Sequence, residues 1–171
     1  SRRLYRTAMF STPGLEKYIS GVILFDETIR QKTEEGIPIP TYLTDRGMLP
    51  GIKVDTGAKP LAGHPGETVT EGLDGLRERC EEYYNMGARF AKWRAVISIS
   101  ENCPSAASVS TNSHALARYA SICQEQGLVP IIEPEVLMDG DHSIMECFKI
   151  TSEVLKAVYS ECRIQGVVLS G

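Results

Sequence analysis

Five short apolar runs punctuate the chain: GVILF at 21–25, GIKVD at 51–55, RFAKWRAV at 89–96, VPIIEPEV at 129–136 and QGVVLSG at 165–171. Their starts lie roughly 30 to 40 residues apart, room for a strand, a helix and two loops. Longer amphipathic stretches fill the intervals. This alternation predicts a parallel α/β sheet and argues against a sandwich or a helix bundle. No sequence repeat accompanies the rhythm.

Three of the intervals read as helices. Ser143 and Glu146 make a capping box, after which Ile144, Phe148, Thr151, Leu155, Val158 and Cys162 form a stripe expected to lie against the sheet. Leu73, Leu76, Cys80 and Tyr83 share that spacing and end near Gly87. A third helix is expected from about Ser113, through Leu116, Tyr119, Ala120 and Cys123, to a stop at Gly127. Two other stretches, EEGIPIPTYLTDRGMLP and TGAKPLAGHPGETV, carry too many prolines and glycines for a long helix. Each follows an apolar run, so in a barrel each would sit near the carboxyl-terminal face of the strands, where active sites gather.

Composition sets the outer limits. With 171 residues, 42% of them hydrophobic and 23% charged, the chain reads as one domain or a piece of one. An eight-unit (β/α) barrel takes about 250 residues and could not be complete at this length. The net charge of −4 and the absence of a Lys/Arg run argue against a nucleic-acid partner, although a few cations focused in one pocket could still hold an anionic small molecule. Cys80, Cys103, Cys123, Cys147 and Cys162 lack CxxC pairing, and His64, His114 and His142 lack metal-ligand spacing, so reduced thiols and no metal are expected. No apolar stretch approaches the roughly 20 residues that span a bilayer, and SRRLYRTAMF has no signal-peptide core. A cytoplasmic location with no membrane partner is the expectation.

Charge enters the apolar runs in a regular way. Lys53 and Asp55, Lys92 and Arg94, and Glu133 and Glu135 are each spaced i, i+2 near the carboxyl end of three successive predicted strands. Side chains two apart on a strand share a face, so each strand aims a pair of charges in one direction. Buried without partners, such ions would cost on the order of several kcal/mol each. The three cations and three anions could neutralise one another around a polar centre and couple their titrations, as acid–base chemistry requires. A solvated or purely stabilising ion network is the competing reading for any one strand. Three adjacent strands with the same arrangement favour a site, because barrel active sites draw on several strand ends. Ser170 and Gly171 could present backbone N–H groups to a phosphate or simply make a strand-to-loop turn, and Arg2 and Arg3 could clamp a phosphate or lie on the surface.

The strings LYR, SGVILFDET, PGIKVD, TEGLDGL, RFAKWR, LARYASICQ and VPIIEPE occur in one order from Ser1 to about Cys162. Together they closely resemble class I, Schiff-base fructose-1,6-bisphosphate aldolase, with FAKWR and VPIIEPE the most specific pair. The resemblance implies a (β/α)8 TIM barrel, only partly covered by this chain with about five strands. It also implies reversible, metal-free and cofactor-free cleavage of fructose 1,6-bisphosphate to dihydroxyacetone phosphate and glyceraldehyde 3-phosphate through a lysine iminium. By motif, Glu133 would be the general acid/base, and Lys92 would assist catalysis and polarise the substrate. Lys53 and Arg94 would serve the polar substrate pocket, Arg2, Ser170 and Gly171 would grip phosphate, and Asp55 and Glu135 would balance or orient charge. Sugar phosphates would be the small-molecule partners and a homotetramer the assembly.

One departure accompanies the match. The family's iminium lysine lies in a sixth-strand segment resembling EGxLLKPNM, which this sequence lacks. The resemblance places a missing segment between about Cys162 and Ile164, and further strands before Ser1 and after Gly171. Two other outcomes stay open: a catalytically silent, aldolase-derived phosphate-binding or scaffold protein, and a different Schiff-base enzyme using Lys92 or Lys53 as nucleophile. The segment alone is expected to be inactive in the standard reaction.

Overall fold

The computed structural model describes residues 2–170, apart from the side chains of residues 2–4 and 7. In chain order its elements are α1 (Arg2–Phe10), a 3-10 turn at Leu15–Lys17, β1 (Gly21–Leu24), α2 (Asp26–Ile29), α3 (Ile39–Thr44), β2 (Leu49–Lys53), β3 (Gly57–Pro60), β4 (Thr68–Glu71), α4 (Leu76–Asn85), β5 (Phe90–Ile97), α5 (Ala106–Glu125), β6 (Val129–Val136) and α6 (Ile144–Ile164).

Strands β1, β2, β5 and β6 pair in that order, all parallel, while β3 and β4 form a separate antiparallel hairpin. Strands laid down in sequence order, with no reversal, are the winding of a (β/α) barrel; a doubly wound sheet changes direction part-way. The sheet is therefore an arc of a TIM barrel whose wall is not closed by these residues.

The two faces of the arc differ. Ile52, Val54, Ala91, Trp93, Ala95 and Ile97 are buried and join Leu116, Tyr119 and Ala120 of α5 in the core. Trp93 stacks on Tyr119 at a centroid distance of 5.4 Å, and the Tyr119 hydroxyl donates to the Ile131 carbonyl at 3.2 Å. The opposite, inward face carries Ile23, Leu49, Phe90, Val129 and Ile131 toward the strand starts and the charged residues toward the strand ends. The Phe90 ring lies flat across its neighbours, since a Cβ on Gly51 would fall 2.3 Å from it and one on Gly21 3.0 Å away. Only glycine leaves room for that close approach.

Several elements differ from the sequence expectation for identifiable reasons. Helix α5 begins at Ala106, capped by Ser105, well before Ser113. Its first buried positions are Ser108, Asn112 and Ser113, so no apolar stripe marks that half. On α6 the buried residues are Val154, Val158 and Cys162, whereas Ile144, Phe148 and Leu155 are exposed. The expected stripe thus mixes two flanks, of which one packs on α5 and β6. Residues 56–69, expected as an irregular excursion, supply most of the β3–β4 hairpin. Residues 165–171 do not pair with the sheet among the described residues; Val168 is instead held at both its N–H and its carbonyl by the Gln124 side chain at 2.9 Å. Helix α6 runs unbroken across 162–164.

Candidate active site

The register of the sheet decides which charges can meet. Lys53 pairs with Lys92, Arg94 with Glu133, and Val96 with Glu135, so Lys53, Lys92, Arg94, Glu133 and Glu135 share the inward face, while Asp55 lies just beyond β2. Lys92 Nζ lies 2.9 Å from Glu133 Oε2. Arg94 Nε is bonded to Glu135 Oε2, and Lys53 Nζ to Asp55 Oδ1. The three cations and three anions are fully paired, two pairs across the β5–β6 seam and one within the β2 end.

Exposure grades across the group. The Asp55 side chain is 2% exposed, against 23% for Lys92, 34% for Glu133 and 43% for Arg94. Asp55 is correspondingly well satisfied: besides Lys53 it accepts from the Gly57 N–H at 3.0 Å and, through its other oxygen, from the Arg94 N–H at 3.4 Å. Burial of a carboxylate is tolerable under these conditions, since each oxygen has a donor. Lys92 and Glu133 remain reachable from the open side of the arc. An ammonium beside a carboxylate there offers a proton donor and acceptor to one substrate atom.

Ser170 lies apart from this group. It shares a cleft of about 500 Å³ with Val129, Pro130 and Ile132 from the first half of β6, not with Glu133 or Glu135. Gly171 and the Arg2 side chain fall outside the described residues. Among the described residues, no group of three or more His, Cys, Asp or Glu side chains could hold a metal ion, and no helix is long and apolar enough to cross a membrane.

Sequence reasoning passed over the residues that support the group. Thr70 donates to the Arg94 carbonyl at 2.7 Å and Thr68 to the Val96 carbonyl at 3.3 Å. Arg79 of α4 donates to the carbonyls of Val54 and Gly72. Glu67, buried, accepts from the Ser105 N–H at 2.8 Å at the start of α5. Burial alone would raise the Glu67 pKa, but the hydrogen bonds from Ser105 and the nearby His64 outweigh it and hold the carboxyl below its ordinary value. The alternation of TVTE was the available signal, because it places both threonine hydroxyls on one face of a strand.

Comparison with known proteins agrees with this geometry. The family model for glycolytic fructose-bisphosphate aldolase class-I matches residues 1–171. A probable fructose-bisphosphate aldolase class 1 of Xanthomonas campestris pv. campestris is 61% identical over all of this chain and 51% of its own length. The cytosolic fructose-bisphosphate aldolase 6 of Arabidopsis thaliana is 53% identical over all of this chain and 48% of its own. A solved fructose-bisphosphate aldolase of Plasmodium falciparum, in complex with TRAP and a small-molecule inhibitor, superposes with a TM-score of 0.95 at 49% identity, covering 98% of this chain and 49% of that one. The chain spans about half the length of the curated relatives it matches.

Proposed function

Because this chain belongs to the class I fructose-bisphosphate aldolase family, we propose that it supplies the acid–base and substrate-holding wall of an enzyme that reversibly cleaves fructose 1,6-bisphosphate. The products are dihydroxyacetone phosphate and glyceraldehyde 3-phosphate, and the whole protein works as a cytoplasmic homo-oligomer, a tetramer. The observation that carries this reading is the Lys92–Glu133 pair, 2.9 Å apart at adjoining strand ends and open to the barrel interior.

The chemistry needs an electron sink and a way to move protons. A lysine amine condenses with the ketose carbonyl, and the resulting iminium carbon accepts the electron pair released when the carbon–carbon bond breaks. That lysine is assigned to a segment of the full-length protein outside these residues. Glu133 moves protons during condensation and cleavage, and Lys92, 2.9 Å from it, polarises the substrate oxygen. Lys53 and Arg94 meet the polar and phosphorylated parts of the substrate, while Asp55 and Glu135 keep them oriented.

Borohydride treatment of the full-length protein with dihydroxyacetone phosphate tests the reading. The expected result is one covalent adduct, located by mass spectrometry on a lysine outside this segment. A folded protein that yields no adduct would sink the proposal, and an adduct on Lys92 or Lys53 would replace it with a different Schiff-base enzyme.

A further inference from the structure

Strand β5 is longer than the neighbour that supports it. It pairs with β2 only from Phe90 to Lys92, and beyond that point its backbone has no strand on that side among the described residues. The last ladder bond there runs from the Val54 N–H to the Lys92 carbonyl at 3.1 Å. Backbone groups of alternate residues point the same way along a strand, so Arg94 and Val96 would leave their polar groups unpaired along this edge.

Side chains take the place of the missing strand. Asp55 accepts the Arg94 N–H, Thr70 donates to the Arg94 carbonyl at 2.7 Å, and Thr68 donates to the Val96 carbonyl at 3.3 Å. The hairpin strand that carries these threonines is gripped in turn from α5. Asn112, 2% exposed, accepts the Thr70 N–H at 3.2 Å on its amide oxygen and donates to the Thr68 carbonyl at 2.9 Å and the Ser108 carbonyl at 3.0 Å. Its amide therefore meets β4 as a peptide group of another strand would. The connected path runs from α5 through Asn112 and β4 to the two threonine hydroxyls, and from these to the backbone of Arg94 and Val96.

We infer that Thr70, Thr68 and Asn112 are positioning residues that fix the carboxyl end of β5, and with it the Arg94 side chain, at the separation a phosphorylated substrate requires. The inference rests on the aldolase reading above. Thr70 is 3% exposed and faces the backbone, so it acts through Arg94 and does not meet substrate. Preorganised groups lose much of their effect when displaced by as little as about 1 Å. Arg94 is 43% exposed and its bond to Glu135 lies toward solvent, which alone would hold it weakly.

The test uses Thr70→Val in the full-length protein, a change that keeps the shape and removes the hydroxyl. KM for fructose 1,6-bisphosphate is expected to rise about tenfold with kcat within about threefold, and Thr70→Ser to restore KM. A purely structural role predicts the reverse, a lower apparent kcat from a smaller folded fraction with KM unchanged, and that result would overturn the inference. Should Thr70→Val fail to fold, Thr68→Val takes its place: a raised KM supports the inference and an unchanged KM overturns it. Wild-type protein that is folded yet inactive on fructose 1,6-bisphosphate would instead defeat the aldolase reading. In that case the positioning role is read from phosphate-ester affinity, which Thr70→Val must weaken for the inference to survive.

Discussion

At the scale of single residues, Lys92 and Glu133 behave as a unit, since each is the other's charged partner at 2.9 Å. In the full-length protein, Lys92→Met and Glu133→Gln are each expected to lower kcat by about 10²- to 10⁴-fold. Steady-state kinetics on the double variant should show little further loss, because groups that act together are not additive. Both side chains are partly exposed, so melting temperatures should stay close to wild type, and a large drop in either would point to a structural role. Glu67 differs: it is buried, and its native pKa is depressed. A depressed carboxyl contributes stability above its unfolded value of about 4.3, and that contribution is lost as pH falls through the native value. Melting curves of wild type and Glu67→Gln should therefore be separated near pH 7 and converge in acid; a separation constant with pH would refute the assignment.

At the scale of elements, the close contact between β5 and its neighbours makes a sharp demand. Gly51→Ala would set a methyl group against the Phe90 ring, at a cost of about 1–3 kcal/mol measured by denaturant titration. Phe90→Leu in the same chain should recover part of the loss, because the two positions share one space. Strands β1, β2, β5 and β6 were legible in the sequence because Val, Ile and Leu runs flanked by turns have few other uses. The strand-end charges were legible for a related reason, since the i, i+2 spacing fixes a common face whatever the register. The β3–β4 hairpin was hidden by Pro60 at the end of β3, by Gly63, Pro65 and Gly66 in its turn region, and by threonines whose polar side is the buried one. The first half of α5 was hidden in the same way, because its buried positions Ser108 and Asn112 are polar and Asn112 serves the hairpin backbone. Period-based reading assumes that what faces inward is apolar, and it fails where the inside is a hydrogen-bond network.

At the scale of the whole molecule, one side of the sheet is finished and the other is not. The helix-facing side is closed by α5 and its neighbours, while Ile23, Leu49 and Val129 on the inward side are 42%, 53% and 66% exposed. Phe148 and Tyr159 leave a second apolar flank open on α6. A polypeptide limited to these 171 residues should therefore aggregate without a defined size and bind a hydrophobic dye, whereas the full-length protein should form one assembly of defined size and bind no dye. Light scattering after size exclusion would decide, and a dye-silent monomer of the short polypeptide would contradict the reading. The stacking of Trp93 on Tyr119 has a consequence in time as well as in space. Strand β5, helix α5 and strand β6 follow one another directly, so the contacts among them close short loops, and contacts of that kind form early. The outer wall of the barrel can thus set before its interior does. Lys92, Arg94, Glu133 and Glu135 then stay hydrated until later strands arrive, and the chemistry is assembled onto a wall already built.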